Sequence, residues 1–333
     1  MRNILFTLFF SLVLVSLQAQ EGGEVFTFLR YPSSARANAL GGHTVSLVET
    51  DPSLIFHNPA LLGAEMDQMV NLNYMNYIAD INVGSALYTK AIRERSAWGI
   101  GANFISYGEF TETSPDNTVL GTFSAKDICM NGFFSYDLSD MWRGGVSLKF
   151  LYSSLEKYTS IGLGVDVGLS YYNTAKGFSA GFVLKNMGAQ LKAYDEERQK
   201  MPWDIQVGIS KKMAHAPFRF SVTAMYLNKW KLSYIDNNDE TVAAGDGFVK
   251  SLSKHLVFGV DFIPTNNFWV GVGFNPKANA DMKLQNGNKM GGFSAGVGVK
   301  VKRFDVGVSI ARYHPSASSL MLSVSTVLGN IVP

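Results

Sequence analysis

The sequence predicts an all-β protein, a fourteen-stranded antiparallel transmembrane β-barrel with an N-terminal segment plugging its lumen. Three observations carry that prediction. Bulky apolar residues alternate with small or polar ones, the alternating segments are long and even in number, and the long connections fall on one side. Strict alternation marks strands, because successive side chains point to opposite faces of a sheet.

Composition agrees. The chain has 333 residues, 47% hydrophobic and 17% charged, whereas an ordinary soluble domain carries about 25% charged residues. Lys and Arg number 29 against 27 Asp and Glu, a formal charge of +2. That balance argues against the basic field a nucleic-acid binder needs, so no nucleic-acid partner is expected. The single cysteine, Cys129, excludes an internal disulfide and a multi-cysteine zinc site.

Residues 1–19 read as a secretory signal peptide. Arg2 supplies the positive end, residues 4–17 form a fourteen-residue apolar run, and cleavage is placed after Ala19. The run is short for a spanning helix, which needs about 20 residues. Residues 20–67 do not alternate and are assigned to the plug, leaving 68–330 for the barrel. Within the plug, 33–40 is rich in small residues and is expected to form a short helix, and Asp51-Pro52 and Asn58-Pro59 mark turns.

The fourteen strands are placed at 68–76, 80–90, 96–108, 127–137, 142–153, 161–173, 177–187, 203–211, 217–230, 255–264, 268–275, 291–301, 303–313 and 318–328. Most exceed the 5–6 residues usual in soluble sheets and suit the roughly 9–11 of a tilted membrane strand. In 161–173, Leu163, Val165, Val167 and Leu169 share one face, while Gly164, Asp166, Gly168 and Ser170 share the other. Hydrocarbon offers backbone groups no water, so such a sheet must close. Gly and Ser cannot fill a fourteen-stranded interior, hence the expected plug.

The connections at 91–95, 138–141, 174–176, 212–216, 265–267 and 302 are short, whereas 109–126, 188–202, 231–254 and 276–290 are long and alternate with them. This is the asymmetry of outer-membrane barrels. Trp98, Trp142 and Trp269 are placed at the short-turn rim and Trp203 and Trp230 at the other, as membrane-interface aromatics. Trp269 differs in parity, sharing its face with Gly271 and Gly273.

The segment Arg30-Tyr31-Pro32-Ser33-Ser34-Ala35-Arg36, with Gly41-Gly42, Asp51-Pro52 and Asn58-Pro59-Ala60, carries a family resemblance. The last triplet resembles the hatch signature of the FadL family, fourteen-stranded outer-membrane transporters of hydrophobic substrates. The longer string resembles the PorQ family, and more distantly the PorV family, of the Bacteroidota type IX secretion system. That resemblance implies a non-catalytic outer-membrane component of an attachment complex. Its implied partners are a PorZ-like surface protein, sortase-like PorU and PorV. The alternatives are FadL-type transport and a PorV-like cargo shuttle. Asn58, Pro59 and Ala60 are then the hatch motif, and Tyr31, Pro32, Arg36, Gly41, Gly42, Asp51 and Pro52 the plug turns.

No catalytic, cofactor or metal site is expected. Residues 177–181 and 292–296 fit a nucleophile-elbow pattern, but lie inside alternating strands rather than at the strand–helix turn that chemistry needs. His43, His57, His215, His255 and His314 lack metal-ligand spacing; His43 and His57 flank the plug, where a structural hydrogen bond between them is expected. The run 236–240 is oxygen-rich but lacks the glycine and downstream glutamate of a calcium loop. Partner contacts are expected at the long loops, through Lys192, Asp195, Glu196, Glu197, Arg198, Asp236, Asp239, Glu240, Lys277 and Lys283. The Lys and Arg residues among them also suit lipopolysaccharide.

Overall fold

The structure, a computed structural model, describes residues 23–116, 118–230, 232, 248–286, 291–314 and 317–329. The proposed signal peptide and Asp236, Asp239 and Glu240 lie outside these residues.

The period-two segments form fourteen strands. They are β1 Met69–Asn76, β2 Asn82–Arg93, β3 Ser96–Thr113, β4 Val119–Asp137, β5 Trp142–Leu155, β6 Tyr158–Asn173 and β7 Phe178–Lys192. They continue as β8 Asp204–Lys212, β9 Phe218–Ala224, β10 Leu256–Thr265, β11 Phe268–Phe274, β12 Phe293–Val301, β13 Phe304–His314 and β14 Ala317–Val327. Each pairs antiparallel with its neighbours, and β1 joins β14 from Met69↔Val327 to Asn76↔Leu320. The sheet is thereby a closed barrel without an edge.

Alternation sorts the side chains. On β5, Val146, Leu148 and Phe150 point outward and are exposed, while Ser147, Lys149 and Leu151 are buried inside. On β6, Leu163 and Val167 are exposed, and Asp166 and Ser170 buried. A closed barrel wrapped in exposed Leu, Val, Ile and Phe presents the surface that lipid covers.

Three hairpins differ from expectation. β7 runs to Lys192 rather than 187, so Lys192 ends a strand and is not in the loop expected at 188–202. The chain at 109–126 is not a loop, because β3 and β4 continue to Thr113 and from Val119. β-branched and aromatic residues sustain the ladder there, with Phe110 stacked on Phe123 at 5.3 Å. Glu109, Glu112 and Lys126 interrupt the apolar rhythm and hid this extension from a hydropathy reading. Conversely, β9 stops at Ala224 rather than 230. Tyr226 adopts φ 59°, which takes the chain out of extended geometry.

The long connections, β7–β8, β9–β10 and β11–β12, all lie at the end of the β1–β2 turn. Two carry helices, α2 Phe248–Lys254 and α3 Pro276–Asn286, where loops were expected. Ahead of β1, α1 Ala35–Ala39 and three-residue to five-residue 3₁₀ turns make up the N-terminal segment.

Candidate functional site

Residues 24–67 lie against the inward faces of the strands. Local signals shape them. Ser34 accepts from the Ala37 amide at 3.4 Å and caps α1. Asp51 accepts from the Ser53 amide at 3.0 Å and caps Pro52–Phe56. Asn58 accepts from the Ala60 amide at 3.0 Å and caps Pro59–Leu61. In both turns proline at the first position presets φ and removes an amide that would lack a partner. Asn58 also donates to the Val45 carbonyl at 2.8 Å, tying two parts of the segment together. Gly41 and Gly42 follow α1 at φ 94° and 92°, where a side chain would be strained.

The wall meets this segment with small residues. Ser323 accepts from the Ala35 amide at 2.8 Å, and Ser309 from Asn38 Nδ2 at 2.9 Å. Ser294 accepts from the Gly41 amide and donates to the Ala39 carbonyl, both at 2.9 Å. Ser179 donates to the Ser46 carbonyl at 2.7 Å. Both elbow-like serines therefore hydrogen-bond the segment from within strands. At Gly145 a side chain would collide with the backbone of Pro59 and Ala60. Leu40, Leu47, Leu54 and Leu61 form the segment's own apolar cluster.

Charge pins it further. Asp261 on β10 is fully buried, and receives Arg219 Nη2 at 2.9 Å and Arg36 Nη2 at 3.4 Å. Glu49 pairs with the same Arg219. Burial alone would raise the Glu49 carboxyl, but Arg219 and Arg36 overrule it and hold the group below the usual carboxylate range. Trp269 lies beneath Arg36, 4.7 Å from guanidinium to ring centre.

A second polar group sits nearer the long-loop end. Lys149 on β5 pairs with Asp166 and donates to Asn186 Oδ1, each at 2.7 Å. Lys185 on β7 donates to the Phe56 carbonyl at 3.2 Å. The His43 and His57 rings meet edge to face, 6.3 Å apart. The hydrogen bond expected between them is not formed: neither His57 nitrogen nor His43 Nδ1 has a partner among the described residues. Burial, then Lys185, Arg30 and Lys277, lowers His43 to about 3. Burial, then Lys185, His43 and Lys149, takes His57 well below its ordinary value. Burial thus favours the uncharged form of both imidazoles.

Of the other residues singled out in sequence, Tyr31 packs on Tyr77 at 4.6 Å and Pro32 is buried. Trp98 and Trp142 are exposed on the outer face, and Trp203 is half-buried just before β8. Trp230 lies beyond β9, stacked on His255 at 5.3 Å. Trp269 is a correction. It is 7% exposed and faces the lumen, because its parity is that of Gly271 and Gly273. Lys192, Asp195, Glu196, Glu197 and Arg198 are exposed at the long-loop end, where Lys192 donates to Thr159 at 2.6 Å. Lys277 pairs with Asp281 at 2.7 Å and lies over the Tyr226 ring. Lys283 is on α3, and its side chain falls outside the described residues.

Sequence reading missed Glu49, Lys149, Lys185, Arg219 and Asp261 as lumen residues. A signal existed for most: charge at the inward parity of a membrane strand, as at Lys149 beside Ser147 and Leu151. Glu49 had none.

No protein-family model matches the sequence, and no curated protein matches it. Solved structures do match. The Pseudomonas putida toluene transporter TodX aligns at TM-score 0.54 with 12% identity, over 91% of this chain and 99% of that one. A TodX deltaS2S3 mutant aligns at 0.57 with 11% identity, over 89% and 99%. A Pseudomonas aeruginosa FadL homologue aligns at 0.52 with 12% identity, over 89% and 98%. The fold is FadL-like. These likenesses extend to the barrel fold of outer-membrane proteins, and not to any substrate.

Proposed function

We propose that the chain is an exported outer-membrane barrel that anchors a protein at the cell surface, in the manner implied by its resemblance to the PorQ family of type IX secretion. The observation that carries this reading is the occupied lumen. Residues 24–67 are fastened to the wall by the Arg36–Asp261–Arg219–Glu49 ion pairs and by serine hydrogen bonds on several strands. A segment fastened this firmly stiffens the barrel and suits a platform. The platform's exposed features lie at the long-loop end. On α2, Phe248 is 68% and Val249 78% exposed, beside Trp230. Apolar residues exposed on a loop helix suit a protein contact. The partner expected from the resemblance is a PorZ-like surface protein, with PorU and PorV in the same complex, and lipopolysaccharide around the loops.

The test is co-purification from detergent-solubilised outer membrane. Phe248→Asp with Val249→Asp is expected to lose the surface partner while the barrel still shows heat-modifiable gel migration. Full recovery of the partner by that variant would remove α2 from the interface, and an absence of any partner from the wild type would defeat the anchor reading.

Hydrophobic transport is the second reading. It is favoured by a buried apolar cluster below the long-loop end, including Val25, Phe26, Phe28, Ile105, Leu151 and Met201. Uptake of labelled fatty acid or toluene by vesicles carrying the pure protein would support it over the anchor.

A further inference from the structure

The short-turn rim carries an excess of cations. Across residues 91–95, 174–176, 212–216 and 302–303, Glu94 is the single acid, against Arg93, Arg95, Lys176, Lys212, Lys302 and Arg303. All six cations are exposed.

Three cations at this rim sit beside the aromatic rings of the lipid-facing wall. Lys90 is exposed on β2 directly opposite Trp98, on the face that carries Tyr88, whose ring lies 5.9 Å from that of Trp98. Lys211 is exposed on β8, between Phe178 of β7 and Phe220 of β9. The Arg303 guanidinium lies 5.9 Å from the centre of the Phe304 ring, itself exposed at the start of β13. Aromatic rings at strand ends take the level of the lipid headgroups.

No carboxylate lies within 4.0 Å of Lys90, Lys211 or Arg303 among the described residues. The nearest acids in sequence do not cancel the charge. Glu94 stands between Arg93 and Arg95, so its turn stays net positive. Asp305 lines a lumen cavity with Arg36. Lys211 donates to the Lys176 carbonyl, which occupies one of its three donors. The β4–β5 turn is the contrast. Its Asp140 is exposed, and Arg143 is held by Asp137 and Glu65. A fixed cation at headgroup depth attracts anionic lipid. A soluble acidic protein would have to displace the headgroups to reach Lys90 or Lys211 on the outer wall.

We propose that this rim binds anionic phospholipids of the periplasmic leaflet, one phosphodiester at each of Lys90, Lys211 and Arg303, with the acyl chains along the apolar wall. The sites stand whether the barrel anchors a partner or passes a substrate.

The test uses the full-length barrel in vesicles of phosphatidylcholine with a minor share of phosphatidylglycerol, with acyl-chain bromines on one lipid or the other. Trp98 is kept as the sole tryptophan in one variant and Trp142 in a second. Brominated phosphatidylglycerol is expected to quench Trp98 as though enriched roughly fivefold over phosphatidylcholine, the gain one basic residue provides beside anionic lipid. Trp142, beside Asp140, is expected to show no such preference. Lys90→Gln should bring Trp98 to the Trp142 level, and Lys90→Arg should retain the preference. Native mass spectra should show phosphatidylglycerol retained over phosphatidylcholine by wild type, and no preference in the Lys90→Gln, Lys211→Gln, Arg303→Gln triple variant. Heat-modifiable migration verifies folding. If Lys90→Gln or the triple variant fails to fold, the comparison of Trp98 with Trp142 decides alone. Equal quenching of Trp98 by both lipids, an equal preference at Trp98 and Trp142, or an undiminished preference in folded Lys90→Gln overturns the proposal.

Discussion

Gly273 and Gly271 lie two residues apart on the inner face of β11, yet they meet the N-terminal segment differently. A methyl group added at Gly273 would sit 2.7 Å from Leu40 Cα, and closer still to Leu40 C and Gly41 N. These are backbone atoms, so no side-chain rotation relieves the clash. At Gly271 the same methyl meets Ala39 Cβ and Leu40 Cδ2 at 3.4 Å, close to ordinary contact. Gly273→Ala must therefore lift the turn after α1, whose Gly41 amide donates to Ser294 at 2.9 Å. Overpacking of this kind costs about 1–3 kcal/mol. At 1.4 kcal/mol per tenfold, the open population of the N-terminal segment rises roughly 5- to 140-fold. Hydrogen exchange on peptides covering 35–42 reads that population directly. The expected result is lost protection there in Gly273→Ala, with the strand peptides unchanged and Gly271→Ala close to wild type. Wild-type protection in Gly273→Ala, or equal loss in both variants, would refute the claim that backbone contact with the wall holds the N-terminal segment.

Three further outcomes are expected. Asp261→Asn leaves Arg36 and Arg219 short of a buried countercharge and should weaken attachment of the N-terminal segment by about 3–5 kcal/mol, measured as faster exchange over α1. Glu49 is held below the usual carboxylate range, so its contribution is complete above its unfolded pKa and fades as pH falls through the folded one. Exchange around Glu49 should accordingly rise on acidification, and Glu49→Gln should flatten that rise. In bilayers with brominated lipid tails, a variant keeping only Trp98 or Trp142 should be quenched, and one keeping only Trp269 should not, because Trp269 lies inside under Arg36.

Much of the barrel was legible because its physics is local. Each strand announces itself through the alternation of its own residues, as in Leu163 to Ser170, without knowledge of its neighbours. Where other demands overrode the alternation, the reading slipped. The β3–β4 hairpin carries charge beyond the wall, and Tyr226 ends β9 by its backbone angle rather than by composition. Trp269 is instructive, since its parity pointed inward while its position near a strand end suggested the membrane interface. Parity proved decisive, because a side chain's face is set by the pleat and its depth only by sequence position.

What the amino-acid order settled, then, was a lipid-facing cylinder: hydrocarbon demands one repeating pattern, and every strand writes it independently. What folding alone decided was the content of the lumen. Arg36 meets Asp261 across 225 residues, Gly41 meets Ser294 across 253, and the His43–His57 pair finds Lys185 only once the barrel has closed. Such encounters depend on register summed around the whole sheet, and no single stretch of chain encodes them.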